Sequence, residues 1–169
     1  MPPTSKKVLE HHLSLMGINR KVLASLRYVE PFIESCMDDI VERFYAYMQT
    51  LPEGRKAFSE PGFVAHLKKL QRMHWMLMFK GNLDEKFQLR AYHIGSGHHK
   101  KGIAPHLYLC GYNFFQCELV RVVSEKYRHD SRLAEILDAV TRVISLDMEL
   151  ALSVYMREMW RSKKDTFSI

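Results

Sequence analysis

The chain has 169 residues, of which 47% are apolar and 11% aromatic, enough to fill the core of one domain and too apolar for a disordered chain. Its net charge of +6 is dispersed over pairs such as Lys68-Lys69, Lys100-Lys101 and Lys163-Lys164, a solvated pattern that argues against a nucleic-acid partner. No window is long and uncharged enough to span a bilayer, no signal-peptide core follows the N-terminus, and Cys36, Cys110 and Cys117 lie outside any CxxC spacing. We therefore expect a single cytoplasmic domain over 1–169, with reduced, buried thiols and no membrane or nucleic-acid partner.

In chain order, almost every segment predicts helix. One or two short helices precede Pro31, punctuated by Gly17 and Asn19. Pro31 is placed to open a helix carrying Phe32, Met37, Ile40, Phe44 and Met48, and Leu51-Pro-Glu-Gly54 to end it. The next starts near Ser59-Glu60-Pro61, bears the stripe Phe63, Leu67, Leu70, His74, Leu77, and stops at Gly81-Asn82. Asn82-Leu-Asp-Glu85 predicts a capping box for a helix with Phe87, Ala91 and Ile94 on one face. Gly95, Gly97 and Gly102 then predict a loosened backbone around His98-His99. Pro105 opens a long helix through Tyr108, Tyr112, Phe115, Leu119 and Val122.

After Arg128-His-Asp-Ser131 the last helix runs to about Ser162 with two apolar stripes. One is Leu133, Leu137, Val140, Ile144, Met148, Ala151, Tyr155; the other is Ala139, Val143, Leu146, Leu150. A helix apolar on two faces must bury both. We expect Val143, Leu146 and Leu150 to form a homodimer interface, the alternative being a central helix buried in a monomer. Arg157-Glu-Met-Trp160-Arg-Ser-Lys-Lys164 would lead out of the domain.

Nine histidines are many for this length, yet HExxH, CxxC, P-loop, GxSxG and Gly-rich dinucleotide signatures are all missing, so the chain is not expected to be an enzyme. What stands out is a Phe44-Tyr45 pair on one helix, the Phe63–Leu77 stripe on another and a histidine pair at the end of a third. These are the parts of a haem pocket: an imidazole for iron, apolar walls for the porphyrin, and a hydroxyl that can donate to a bound gas.

The run Ile94-Gly-Ser-Gly-His98-His99-Lys-Lys-Gly102-Ile103-Ala-Pro105-His-Leu-Tyr108-Leu-Cys-Gly-Tyr112 resembles the proximal signature of the globin-coupled sensors. Val41-Glu-Arg-Phe44-Tyr45 resembles that family's distal-tyrosine helix, and His66-Leu67-Lys-Lys-Leu70 with Met78-Phe79-Lys-Gly81 its E helix. The resemblance covers roughly 20–160 and implies an all-α globin fold with an extra N-terminal helix and long last two helices. It implies haem b held by His98 or His99, and Tyr45 as hydrogen-bond donor to O2. Phe44, Leu67, Leu70, His74 and Ile94 would line the pocket, with Tyr108 beside the ligating histidine. Some relatives carry a threonine where Leu70 stands. Counting back four from Gly102 selects His98, but a one-residue slip selects His99, and both stay candidates.

As function, the resemblance implies a sensor of O2, with CO and NO as further ligands. Its closest type is the sensor domain of a histidine kinase acting on a response regulator, the output module being absent from these residues. A stand-alone oxygen-binding or redox globin and a haem-free interaction domain are the alternatives.

Overall fold

The computed structural model describes residues 5–166, with side chains described to Arg157 apart from that of Pro61; those of the 158–164 exit run lie outside the described residues. Seven helices and no strand make up the described part: α1 (Lys6–Leu15), α2 (Arg20–Thr50), α3 (Pro52–Ala57), α4 (Pro61–Phe79), α5 (Glu85–Lys100), α6 (Pro105–Lys126) and α7 (Leu133–Thr166). The all-α class is as expected, with an additional N-terminal helix and a long final pair of 22 and 34 residues.

Local chemistry sets most boundaries. Ser5 caps α1 by accepting from the Val8 amide, and Asn19 caps α2 by accepting from those of Lys21 and Val22. Gly17 turns the chain between them at φ +64°, where the Arg142 guanidinium fills the space of an absent Cβ and donates to the Met16 carbonyl at 2.8 Å. Pro105 occupies the first turn of α6, as expected.

Three expectations are corrected. Pro31 does not open a helix but lies inside α2, on its exposed side. The reason is the stripe Val22, Leu26, Val29, Ile33, Met37, Ile40, Phe44, Met48, which runs through Pro31 unbroken and is buried along its whole length. Burial of that face outweighs the roughly 3 kcal/mol that an interior proline costs. The cap of α5 is Asp84, which accepts from the Phe87 amide at 2.9 Å, rather than Asn82. Cys117 is exposed and Cys36 and Cys110 half-buried, so the three free thiols are less buried than their apolar setting suggested.

The histidine segment is not loosened either: α5 is continuous through Gly95 and Gly97. A Cβ on Gly95 would lie 2.0 Å from the Ala151 carbonyl oxygen, so this glycine lets α5 seat directly on the α7 backbone. Of the three glycines in this segment, Gly102, beyond the helix, is the one with a positive φ (+68°).

The last helix corrects the expected dimer interface. α7 packs against α2, α4, α5 and α6, and Val143, Leu146 and Leu150 are 0% exposed inside this one chain. Ile136, Val140, Ile144, Ala151 and Val154 are equally covered. Both apolar faces are satisfied by the chain's own helices, so these three side chains are not offered to a partner.

Candidate functional site

α4 shows where the fold leaves apolar surface unused. Its core face is Trp75, Met76, Met78 and Phe79, all at most 5% exposed. The stripe Phe63, Leu67, Leu70, His74, Leu77 is only half-buried, and Leu70 and neighbouring Met73 are 42% and 51% exposed. α4 leans on α2 and α7, and α5 on α7 and α1, but the two helices do not pack extensively on each other. At their ends, Lys101 Nζ lies over the Phe63 ring, 5.3 Å from its centroid.

Gly95 brings α5 hard onto α7, and one turn later α5 presents His98. The His98 ring is partly buried, and its Nδ1 lies 2.8 Å from the Ile94 carbonyl oxygen. A carbonyl only accepts, so Nδ1 carries the proton and Nε2 holds the lone pair. Burial lowers the His98 pKa below the usual 6.5; the Ile94 bond opposes this and nearby His74 adds to it. The ring is therefore neutral at pH 7, with Nε2 free of hydrogen bonds to described residues. This is the protonation state in which imidazole binds a metal. His99, one residue on, turns toward α7 and meets the Tyr155 ring edge-on at 5.6 Å. Ile94 contributes its carbonyl and a half-buried side chain.

On α2, Phe44 and Tyr45 are each 5% exposed, in an aromatic cluster with Phe58, Phe114 and Phe115. Desolvation alone pushes the Tyr45 hydroxyl well above the ordinary tyrosine range, and no described residue hydrogen-bonds it. Lys68 Nζ, which also pairs with Glu42, stands 5.8 Å from its ring centroid. Tyr45 is thus a phenol held neutral, with its proton uncommitted.

A chain of polar groups crosses the interior beside His98. Tyr108 packs its ring on that of His98, centroids 4.5 Å apart, but sends its hydroxyl to the Tyr112 hydroxyl at 3.1 Å. Tyr112 donates to Asp147 Oδ2 at 2.7 Å, and His74 Nε2 meets the same oxygen at 2.8 Å. Burial holds the Tyr108 and Tyr112 hydroxyls far above the usual range, fully protonated. His74, expected to line the pocket, has its Nε2 committed to Asp147. Sequence reasoning missed Asp147. The signal was present: Asp147 falls at a core position of α7, four after Val143 and three before Leu150, and a charge inside an apolar stripe demands a partner.

The protoglobin family profile matches residues 5–161. The chain is 23% identical over 154 residues to the haem-based aerotactic transducer HemAT of Halobacterium salinarum, a stretch covering 85% of this chain and 32% of that protein. It thus spans about a third of the length of that curated relative. Among solved structures it is similar to the globin domain of a Geobacter sulfurreducens globin-coupled sensor, at TM-score 0.81 and 16% identity over 86% of this chain and 96% of that one. It is also similar to the ferric globin domain of E. coli DosC, at TM-score 0.69 and 16% identity over 89% and 99%.

Proposed function

Because the chain belongs to the protoglobin family, we propose that it is a haem-binding gas-sensing globin domain, with His98 as the axial ligand and Tyr45 as the hydrogen-bond donor to bound gas. The observation that carries this reading is the state of His98: neutral, with Nδ1–H tied to the Ile94 carbonyl and the Nε2 lone pair engaged by no described residue.

The residues around it fit the group. A porphyrin needs flat apolar walls, and the Phe63–Leu77 stripe of α4 supplies apolar surface that the chain's own core leaves half exposed. Haem b would supply an iron that reversibly takes O2, CO or NO. Every other role falls to side chains. His98 would hold the metal, with the Ile94 carbonyl orienting its ring and raising the basicity of Nε2. Leu67 and Leu70 exclude water on the α4 side, where a threonine would offer a second donor. Tyr45, which keeps its hydroxyl proton at any physiological pH, would donate a hydrogen bond to the partial negative charge of a bound gas.

Sensing further requires that ligation change contacts elsewhere, because a ligand shifts an equilibrium only by its differential affinity. α7, which meets the site through Asp147 and Tyr155, is the element we assign to carry that change toward an output module. A histidine kinase is the output implied by the sequence resemblance. The likeness to HemAT favours a transducer module as the second reading. An autophosphorylation assay on a longer native protein separates the two.

The haem reading is tested by titrating the purified protein with haem and recording its absorption. A Soret band at one haem per chain, with a ferrous form that takes up and releases O2, is the expected result. A protein that stays colourless returns the chain to the haem-free alternative.

A further inference from the structure

Asp147 has a role that ligand contact does not explain. It is 0% exposed on the central helix, and burying a carboxylate costs several kcal/mol, which good geometry and full hydrogen bonding must offset. Here the offset is incomplete: Asp147 Oδ1 and His74 Nδ1 have no partner among the described residues, and both donors converge on Oδ2. A leucine in this stripe would pack without that cost.

The arrangement has one consistent set of proton directions. A carboxylate only accepts, so both Tyr112 and His74 Nε2 donate to it. With its proton spent on Asp147, Tyr112 can only accept from Tyr108. The Tyr108 proton is then committed to Tyr112, and Tyr108 meets the histidine through its ring, tilted by 57° with centroids 4.5 Å apart. Chains of this kind polarise one another, so the direction is cooperative.

We propose that Asp147 is a positioning residue for His98: through Tyr112 it sets the orientation of Tyr108 against the His98 ring, and through His74 it fastens α4 to the same point. One oxygen on α7 thereby joins the helix expected to wall the haem to the helix beside the ligand. A shift of α4 that moves His74 reaches the His98 ring across three hydrogen bonds, without any movement of α5. This inference rests on the haem reading of His98.

The test uses the haem-loaded protein and three variants: Tyr112→Phe, Asp147→Leu and Asp147→Asn. The readout is the iron–histidine stretching band in the resonance Raman spectrum of the unligated ferrous form, with Soret absorbance as a separate measure of haem content. Tyr112→Phe removes one oxygen and leaves the ring, so it carries the test even where Asp147→Leu fails to fold. Tyr112→Phe and Asp147→Leu should shift or broaden the band while haem content stays near one per chain. Asp147→Asn, whose amide oxygen can still accept from Tyr112 and His74, should keep the wild-type band. Wild-type bands in Tyr112→Phe and Asp147→Leu overturn the proposal, as does an Asp147→Asn band altered like that of the leucine variant. A wild-type protein that takes up no haem overturns the haem reading, and this inference with it.

Discussion

α4 and α7 each carry two apolar faces, and the chain covers them differently. α7 is wrapped by α2, α4, α5 and α6, so Val143, Leu146 and Leu150 on one stripe and Val140, Ile144 and Ala151 on the other are all 0% exposed. α4 buries Trp75, Met76, Met78 and Phe79 and leaves Phe63, Leu67, Leu70 and Leu77 half covered. Periodicity reports which residues share a face and says nothing about what lies on that face. A surplus face on a central helix is core. On a peripheral helix it stays half exposed, and it is this surface that we propose as the haem wall.

That contrast can be broken at several points. Leu150→Glu should abolish cooperative folding, because an unpaired carboxylate at a fully buried site costs more than about 4 kcal/mol. The measurement is thermal unfolding by circular dichroism. A folded monomer replacing a wild-type dimer would instead reinstate α7 as an interface. Gly95→Ala gains about 1 kcal/mol of helix propensity but forces a Cβ to within 2.0 Å of the Ala151 oxygen. Prying α5 from α7 should leave a net loss of about 1–3 kcal/mol in urea unfolding.

Smaller effects belong to the site itself. Tyr45→Phe should leave the stability of the haem-free protein nearly unchanged, since no described residue bonds the hydroxyl. In the haem-loaded protein it should speed oxygen dissociation roughly tenfold to a hundredfold, the worth of one charge-assisted hydrogen bond. Stopped-flow measurement of the off-rate checks this, and an unchanged rate assigns the donor elsewhere. Leu70→Ala, on the half-exposed stripe, should shift unfolding of the haem-free protein by less than about 0.5 kcal/mol while weakening haem binding. A large stability loss without haem would mean that this face is core after all.

Much of this architecture could be read from the chain before the structure. The Pro61 and Pro105 helix starts, the Gly81 stop and the Asn19 punctuation follow from local chemistry, and the structure keeps them. The misreadings have a common cause. Pro31 and Gly95 were read by their local preferences, whereas tertiary contact decided both: a continuous buried stripe in α2 overrides the proline, and close approach to Ala151 turns the glycine from a loosening element into a packing one. His98 and His99 are equivalent in composition and differ only in what surrounds each ring. Asp147 is hard to single out in the sequence because its neighbours Leu146 and Met148 make the segment read as apolar.

The proposed function turns on one nitrogen, His98 Nε2, as the atom that would hold the haem iron. It is tested most directly by comparing His98→Ala with His99→Ala in a haem titration followed at the Soret band, each variant first shown to be folded. His98→Ala should lose the histidine-ligated spectrum and most haem affinity, while His99→Ala, which removes a ring packed on Tyr155, should retain both. Loss confined to His99→Ala would move the ligand one residue along α5 and overturn the assignment of His98.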